Sequence, residues 1–322
     1  MKLVLLVLFT LSLYANNILT QYRIEGISVV EKQLDLNLTN KQYWDKELQK
    51  QDTTFGYLES YSSVLACDKN SSTLSLYKLD ENKTYTKLKT YSAFTGKIDG
   101  DKKFEGDLRT PIGVYNIKQR LDRSTKLDPF YGPLAFVTTY PNLYDRSQGK
   151  NGSGIWVHGL PIDQERDDFT RGCIAIDNQS IECLDRHIDI NKTILIINPN
   201  ETKVDIPKEN LSSILSALYK WRYAWKYSLI ENYLSFYAQD FKKTDGMSLE
   251  RFKSAKEFVF SKNEKKTIIF NNINIFKYPN LQNVYQISFH EYYKTKYVKF
   301  TGNKTLMIRL DEQKNIKIFL EN

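Results

Sequence analysis

Apolar positions recur along this chain first with the period of strands and later with the period of helices. Val64-Leu65-Ala66-Cys67 and Thr73-Leu74-Ser75-Leu76-Tyr77 flank the polar turn Asp68-Lys69-Asn70-Ser71, which predicts a hairpin. Strands are also expected at 89–95, 135–139 and 155–158, and Pro111 and Gly113 punctuate a loop that enters a strand at Val114. Asp177 can cap a short helix running to His187, and the apolar run 193–197 reads as a buried strand. A polar stretch carrying Pro199 and Pro207 follows, and beyond it the period becomes helical. Leu211, Ile214, Leu215, Leu218, Trp221 and Trp225 share one face, and a second helix is expected through Tyr233, Phe236, Tyr237 and Phe241. Strand patterns at 267–276, 285–292, 304–310 and 316–320 close the chain.

The expected fold class is therefore multidomain: a β-rich domain over 60–198, a linker over 199–210 and an α+β domain over 211–322. In the second domain, helices pack on one face of a curved antiparallel sheet, and the Trp and aromatic stripe is core. Residues 16–59 form a small polar N-terminal region with one helical candidate at 43–48. At 322 residues the chain exceeds one typical domain, which agrees with this division.

The first 15 residues change the picture. Lys2 supplies a short positive region, 3–13 are apolar, and Ala15 is a small residue suited to signal cleavage. This reads as a secretory signal peptide, and no later segment is apolar enough to cross a membrane, so a periplasmic location is expected. The net charge of +8 comes from Lys and Arg scattered among acids, with neither a basic run nor a phosphate-binding glycine loop. Nucleic acid is therefore not an expected partner. Three cysteines are an odd count for an exported chain, so at least one stays outside an intramolecular disulfide. Cys67 and Cys183 sit in apolar patterns and read as small buried hydrophobes. The three histidines and three cysteines show no ligand spacing, so neither metal nor other cofactor is expected.

Cys173 has different neighbours. The stretch Gly154-Ile155-Trp156-Val157-His158-Gly159 precedes Thr170-Arg171-Gly172-Cys173-Ile174-Ala175-Ile176, with 173 − 158 = 15 positions between histidine and cysteine. In a strand Trp156 and His158 point one way and Val157 the other. A thiol is mostly protonated at neutral pH while its thiolate is the nucleophile, so a histidine within reach can take the proton and return it to a leaving amine. Arg171 is placed to lower the thiol pKa, and the N–H groups of Gly172 and Cys173 to face an oxyanion. His187 and His290 read as structural or surface residues.

These motifs resemble the L,D-transpeptidase catalytic domain, also called YkuD-like, over roughly 60–198. Its signature pairs a His-Gly with a later Ser/Thr-His-Gly-Cys, matched here by His158-Gly159 and Thr170-Arg171-Gly172-Cys173, and its Thr-Pro-x-Gly element is matched by Thr110-Pro111-Ile112-Gly113. The resemblance implies the peptide stem of peptidoglycan as substrate, Cys173 as nucleophile, His158 as base, and the carbonyl of Gly159 orienting the imidazole. It also implies a cleft with Tyr131, Gly132, Trp156, Thr170 and Arg171.

Two positions depart from the family pattern: Arg171 stands where it has a second histidine, and Ala175 where it usually has arginine. With strands after two helices resembling an NTF2-like domain, the chain is most similar to the cell-shape-determining murein L,D-carboxypeptidases of helical Gram-negative bacteria. Trimming of tetrapeptide stems to tripeptides is the expectation. An L,D-transpeptidase forming cross-links and a non-catalytic wall-binding or scaffolding protein are the alternatives. The concave sheet of the second domain is expected to meet a glycan or to help hold a homodimer.

Overall fold

The computed structural model describes residues 18–162, 167–200 and 206–322. The expected signal peptide, part of the charged loop before Cys173 and the middle of the expected linker lie outside the described residues.

A helical segment over 18–25 opens the described chain and is followed by two helices, α1 (Ile27–Leu38) and α2 (Lys41–Gln49), with Asn40 capping α2 through Gln42 N–H. The short β1 (Tyr57–Leu58) follows, then the hairpin β2 (Ser63–Asp68) and β3 (Thr73–Leu79), then β4 (Tyr85–Ser92) and β5 (Gly113–Asp122). Next come β6 (Leu134–Thr138), α3 (Leu143–Ser147), β7 (Trp156–His158), β8 (Ile174–Ala175), α4 (Asn178–His187) and β9 (Thr193–Asn198). Strands β2 to β9 form one eight-stranded sheet in the order β4-β3-β2-β9-β5-β6-β7-β8. All neighbours are antiparallel except β2 with β9 and β7 with β8.

The centre of this sheet is buried on both faces, which is why β2 and β9 read as unbroken apolar runs. Leu65, Cys67, Leu195 and Ile197 face one core with Leu74 and Phe136. Val64, Ala66, Ile194 and Ile196 face another that includes Phe276 from the second domain.

The second domain holds α5 (Lys208–Lys226), α6 (Ile230–Leu234), β10 (Tyr237–Lys243), α7 (Leu249–Ser261), β11 (Thr267–Lys277), β12 (Val284–Lys294), β13 (Lys299–Leu310) and β14 (Ile316–Glu321). Its sheet runs β1-β11-β12-β13-β14-β10. The sheet is antiparallel as expected along its middle, but β10 lies parallel to β14. The N-terminal region is not a separate unit. It lends β1 to the edge of this sheet, Trp44 stacks on Tyr219 at 5.2 Å, and Asp35 is buried against Arg222 and Lys226 of α5.

One expected element of the second domain is corrected. The helix through Tyr237 and Phe241 is a strand: a spacing of four returns to the same face in either period, and pairing of Tyr237 with Ile318 decides for β10. Helix α7 was not foreseen, because only Leu249, Phe252 and Phe260 are buried while Phe258 and Val259 are exposed, which blurs its stripe. Helix α5 begins at Lys208, directly after Pro207, so the last residues of the expected linker are its first turn.

Trp221 is fully buried at the centre of α5, stacked against Tyr233 and Phe270, with its indole N–H donating to the Tyr237 hydroxyl. Trp221→Ala is expected to lower the unfolding free energy by about 3–5 kcal/mol, read from the midpoint of a urea titration. An unshifted midpoint would remove Trp221 from the core.

Candidate active site

The site is built on the short strand β7 between β6 and β8. His158 pairs with Ala135 on one side and Ala175 on the other, and Val157 pairs with Ile174. Because Val157 and Ile174 share the core face, Trp156, His158 and Cys173 fall on the opposite one. Residues fifteen apart in sequence are thus brought together by a parallel pairing that a glycine-flanked loop makes possible.

His158 is only 1% exposed. Its Nδ1 lies 2.6 Å from the carbonyl oxygen of Gly159. A carbonyl only accepts, so Nδ1 carries the proton and donates, and Nε2 is the nitrogen able to take a proton. The edge of the ring meets Tyr131, whose centroid is 5.1 Å away at 90°, and Tyr131 also packs on Trp156 at 4.6 Å. Tyr131 sits on a short turn in which Asp128 accepts from Phe130 N–H, and its carbonyl accepts from Gly159 N–H at 3.0 Å. Burial first, then the negative charge available at Cys173, raises the Tyr131 phenol above its ordinary range, while Arg171 acts the other way. Tyr131, Cys173 and Arg171 therefore share one electrostatic neighbourhood.

Cys173 is half-buried, with Sγ 3.4 Å from the Gly154 carbonyl oxygen. Its own carbonyl accepts from Thr170 Oγ1 at 2.6 Å and from Thr110 Oγ1 at 3.4 Å. Thr170 is tied to the 94–97 segment, where its N–H donates to Thr95 and its carbonyl accepts from Lys97. Ala175 exchanges both backbone bonds with Phe94. The Cys173 loop is thus clamped before and after the thiol. Thr110, from the Thr-Pro-x-Gly element, is part of that clamp.

Gly172 N–H donates to Thr170 Oγ1 at 3.0 Å, within the loop. Gly172 is required for shape: its φ is +131°, and a Cβ there would come within 2.8 Å of the Arg109 carbonyl oxygen. Arg171 is exposed beside the thiol, and Ala175, where the family pattern has arginine, is fully buried.

Asn178 was missed by the sequence reading. Its Oδ1 accepts from Leu160 N–H at 2.8 Å and lies where a Cβ on Gly159 (2.4 Å) or Gly132 (2.6 Å) would collide with it. It fixes the peptide whose carbonyl holds His158. The only sequence signal was its place next to the cap Asp177, which pointed to a helix start and not to the site.

The other histidines and cysteines stand apart. His187 Nδ1 donates to the Cys183 carbonyl, and His290 meets Asn303. Cys67 is fully buried, and burial pushes its thiol up to about 12. Cys183 is not the buried hydrophobe expected, because Lys89 Nζ approaches its Sγ to 3.4 Å at a half-exposed position. None of the three cysteines is in a disulfide. Among the described residues no group of three or more His, Cys, Asp or Glu could hold a metal ion. No described helix is long and apolar enough to cross a membrane.

Residues 62–206 match the L,D-transpeptidase catalytic domain family (YkuD), and residues 213–322 match the Cds6 C-terminal NTF2-like domain. The crystal structure of the helical cell shape determining protein Pgp2 from Campylobacter jejuni is 38% identical, with a TM-score of 0.79 over 88% of this chain and 99% of that one. Bdellovibrio bacteriovorus Bd1075 is 28% identical, with a TM-score of 0.66 over 84% and 96%. The putative L,D-transpeptidase YafK of Escherichia coli is 32% identical over 117 residues, which span 35% of this chain and only 42% of that relative's length.

Proposed function

This chain belongs to the L,D-transpeptidase-type (YkuD) family that carries a C-terminal NTF2-like domain, and from that premise we propose that it is a peptidoglycan-modifying cysteine L,D-carboxypeptidase. The observation that carries the proposal is the fixed imidazole of His158, its Nδ1 bonded to Gly159, on the same sheet face as Cys173.

In the proposed reaction His158 Nε2 takes the Cys173 proton, and the thiolate attacks the carbonyl of the L-centre of diaminopimelate in a tetrapeptide stem. The bond to D-alanine breaks, the proton passes from His158 to the leaving amine, and a thioester remains on Cys173. His158 then activates a water, whose attack releases a tripeptide and regenerates the thiol. Tyr131 and Trp156 form an apolar wall for the stem, and Arg171 offers a cation to one of its carboxylates. Hydrolysis is favoured over cross-linking because buried Ala175 removes the cation that the family pattern places after the cysteine. The likeness to a cell-shape determinant supports a part in cell shape and action outside the cytoplasmic membrane, where the polymer lies. The likeness to a putative L,D-transpeptidase supports the second reading, in which an amine replaces water.

Pure protein with monomeric tetrapeptide muropeptides is expected to yield tripeptide and free D-alanine. Dimeric muropeptides as the main product would replace this proposal by the second reading. The proposal extends to the concave face of the NTF2-like sheet. That face is assigned to a glycan of the same polymer or to a second copy, and sacculus binding against light scattering separates the two.

Asn178→Ala is expected to lower kcat roughly ten- to hundredfold with KM little changed, since it frees the Gly159 peptide that orients His158. A variant with wild-type kcat would show that Gly159 is held by its other contacts alone.

A further inference from the structure

One end of the NTF2-like domain presents apolar side chains ringed by lysines, away from the active site and from the concave face. Thr267 at the start of β11 pairs with Lys294 at the end of β12, so the last turn of α7 and the 295–298 turn lie at the same end of the sheet. Tyr297 is 73% exposed and Val298 54%, and Phe258 on α7 is 66% exposed. The turn is held in shape from beneath. Buried Thr295 accepts from the N–H groups of both Tyr297 and Val298 through Oγ1, and its own N–H donates to the Val298 carbonyl at 2.8 Å. These bonds fix the turn's backbone with the Tyr297 and Val298 side chains in solvent.

The charge around it has one dominant sign. Lys262, Lys265, Lys294, Lys296 and Lys299 are exposed there, against Glu257 and Glu264. The cations lie beside the rings: Lys296 Nζ is 5.1 Å from the Tyr297 centroid and Lys262 Nζ 4.8 Å from that of Phe258. Aromatic and β-branched side chains at a tip, with lysines able to keep their ammonium groups at a more polar level, are the composition that partitions into a bilayer interface.

We propose that this end of the NTF2-like domain docks on an anionic phospholipid surface, with Tyr297 and Val298 entering the headgroup boundary and the lysines meeting lipid phosphates. Charge complementarity selects this occupant. A second copy would bring five more lysines against five, and a hydrated glycan or peptide polymer offers Val298 and Phe258 no apolar phase. The docking would hold the enzyme at a membrane while its catalytic cleft, on the other domain, stays open.

The test uses the full chain in sedimentation with vesicles of phosphatidylcholine alone and of phosphatidylcholine with about one third phosphatidylglycerol. Wild-type protein is expected to bind the anionic vesicles and leave the neutral ones, with binding lost in high salt. A variant with Tyr297→Ser and Val298→Ser, and another with Lys296→Glu and Lys299→Glu, should each weaken partitioning at least about tenfold. Both variants should keep wild-type melting and muropeptide turnover, since every substituted position is exposed and remote from Cys173. Equal binding to both vesicle types, or variants that bind anionic vesicles as wild type does, overturns the proposal. It is also overturned if the variants instead abolish self-association in light scattering, or reduce sacculus binding while vesicles capture nothing.

Discussion

Cys173→Ala is expected to lower D-alanine release from tetrapeptide stems by roughly ten-thousandfold or more and to abolish the covalent adduct seen by intact mass. No other thiol can stand in. Cys67 is sealed in the core with its pKa pushed up to about 12, so it stays protonated throughout the working range, and Cys183 lies on α4 among Lys89, Tyr91 and His187. The substitution should leave the fold intact, because the Cys173 side chain is half-exposed and the loop is held through its carbonyl, which alanine keeps. Stability should change by no more than about 0.5 kcal/mol. Equal melting with lost turnover therefore separates a chemical role from a structural one. Persistent D-alanine release from the alanine variant would remove Cys173 from the chemistry.

The second large effect concerns His158. His158→Gln keeps a donor toward the Gly159 carbonyl and fills most of the ring's volume in a site that is 1% exposed, but it cannot take up a proton. Turnover is expected to fall roughly a hundred- to ten-thousandfold. The residual activity should rise with pH, because thiolate must then come from solution rather than from transfer to the ring. A glutamine variant with wild-type turnover and an unchanged pH profile would contradict the assignment of the base. His158→Ala is the less informative change, since it also leaves the buried Gly159 carbonyl without its donor.

The site was legible in sequence where a motif and a period coincided. His158 could be placed on a strand face by alternation, and the glycines around it and before Cys173 marked tight backbone; both follow from local rules. What was not legible depends on contacts distant in sequence. Asn178 acts on Gly159 only because α4 returns beneath the end of β7, and Thr110 reaches the Cys173 carbonyl from 63 residues away. The bond from Gly172 N–H to Thr170 Oγ1 is likewise invisible in composition, which does not show which acceptor in a loop takes a backbone donor. In the second domain Tyr237 and Phe241 satisfied both periods, so only the pairing partner β14 could decide. The N-terminal helices were recognisable in part at 43–48, but their docking through Asp35 on α5 has no local signature.

The account turns on water as the acceptor of the stem held on Cys173. The most direct measurement is digestion of a monomeric tetrapeptide muropeptide in water enriched in oxygen-18, followed by mass spectrometry of every product. The account predicts free D-alanine and a tripeptide whose new carboxyl carries the heavy oxygen, both absent with Cys173→Ala. Unlabelled cross-linked dimers in place of labelled tripeptide, or labelled tripeptide formed equally by Cys173→Ala, would contradict it.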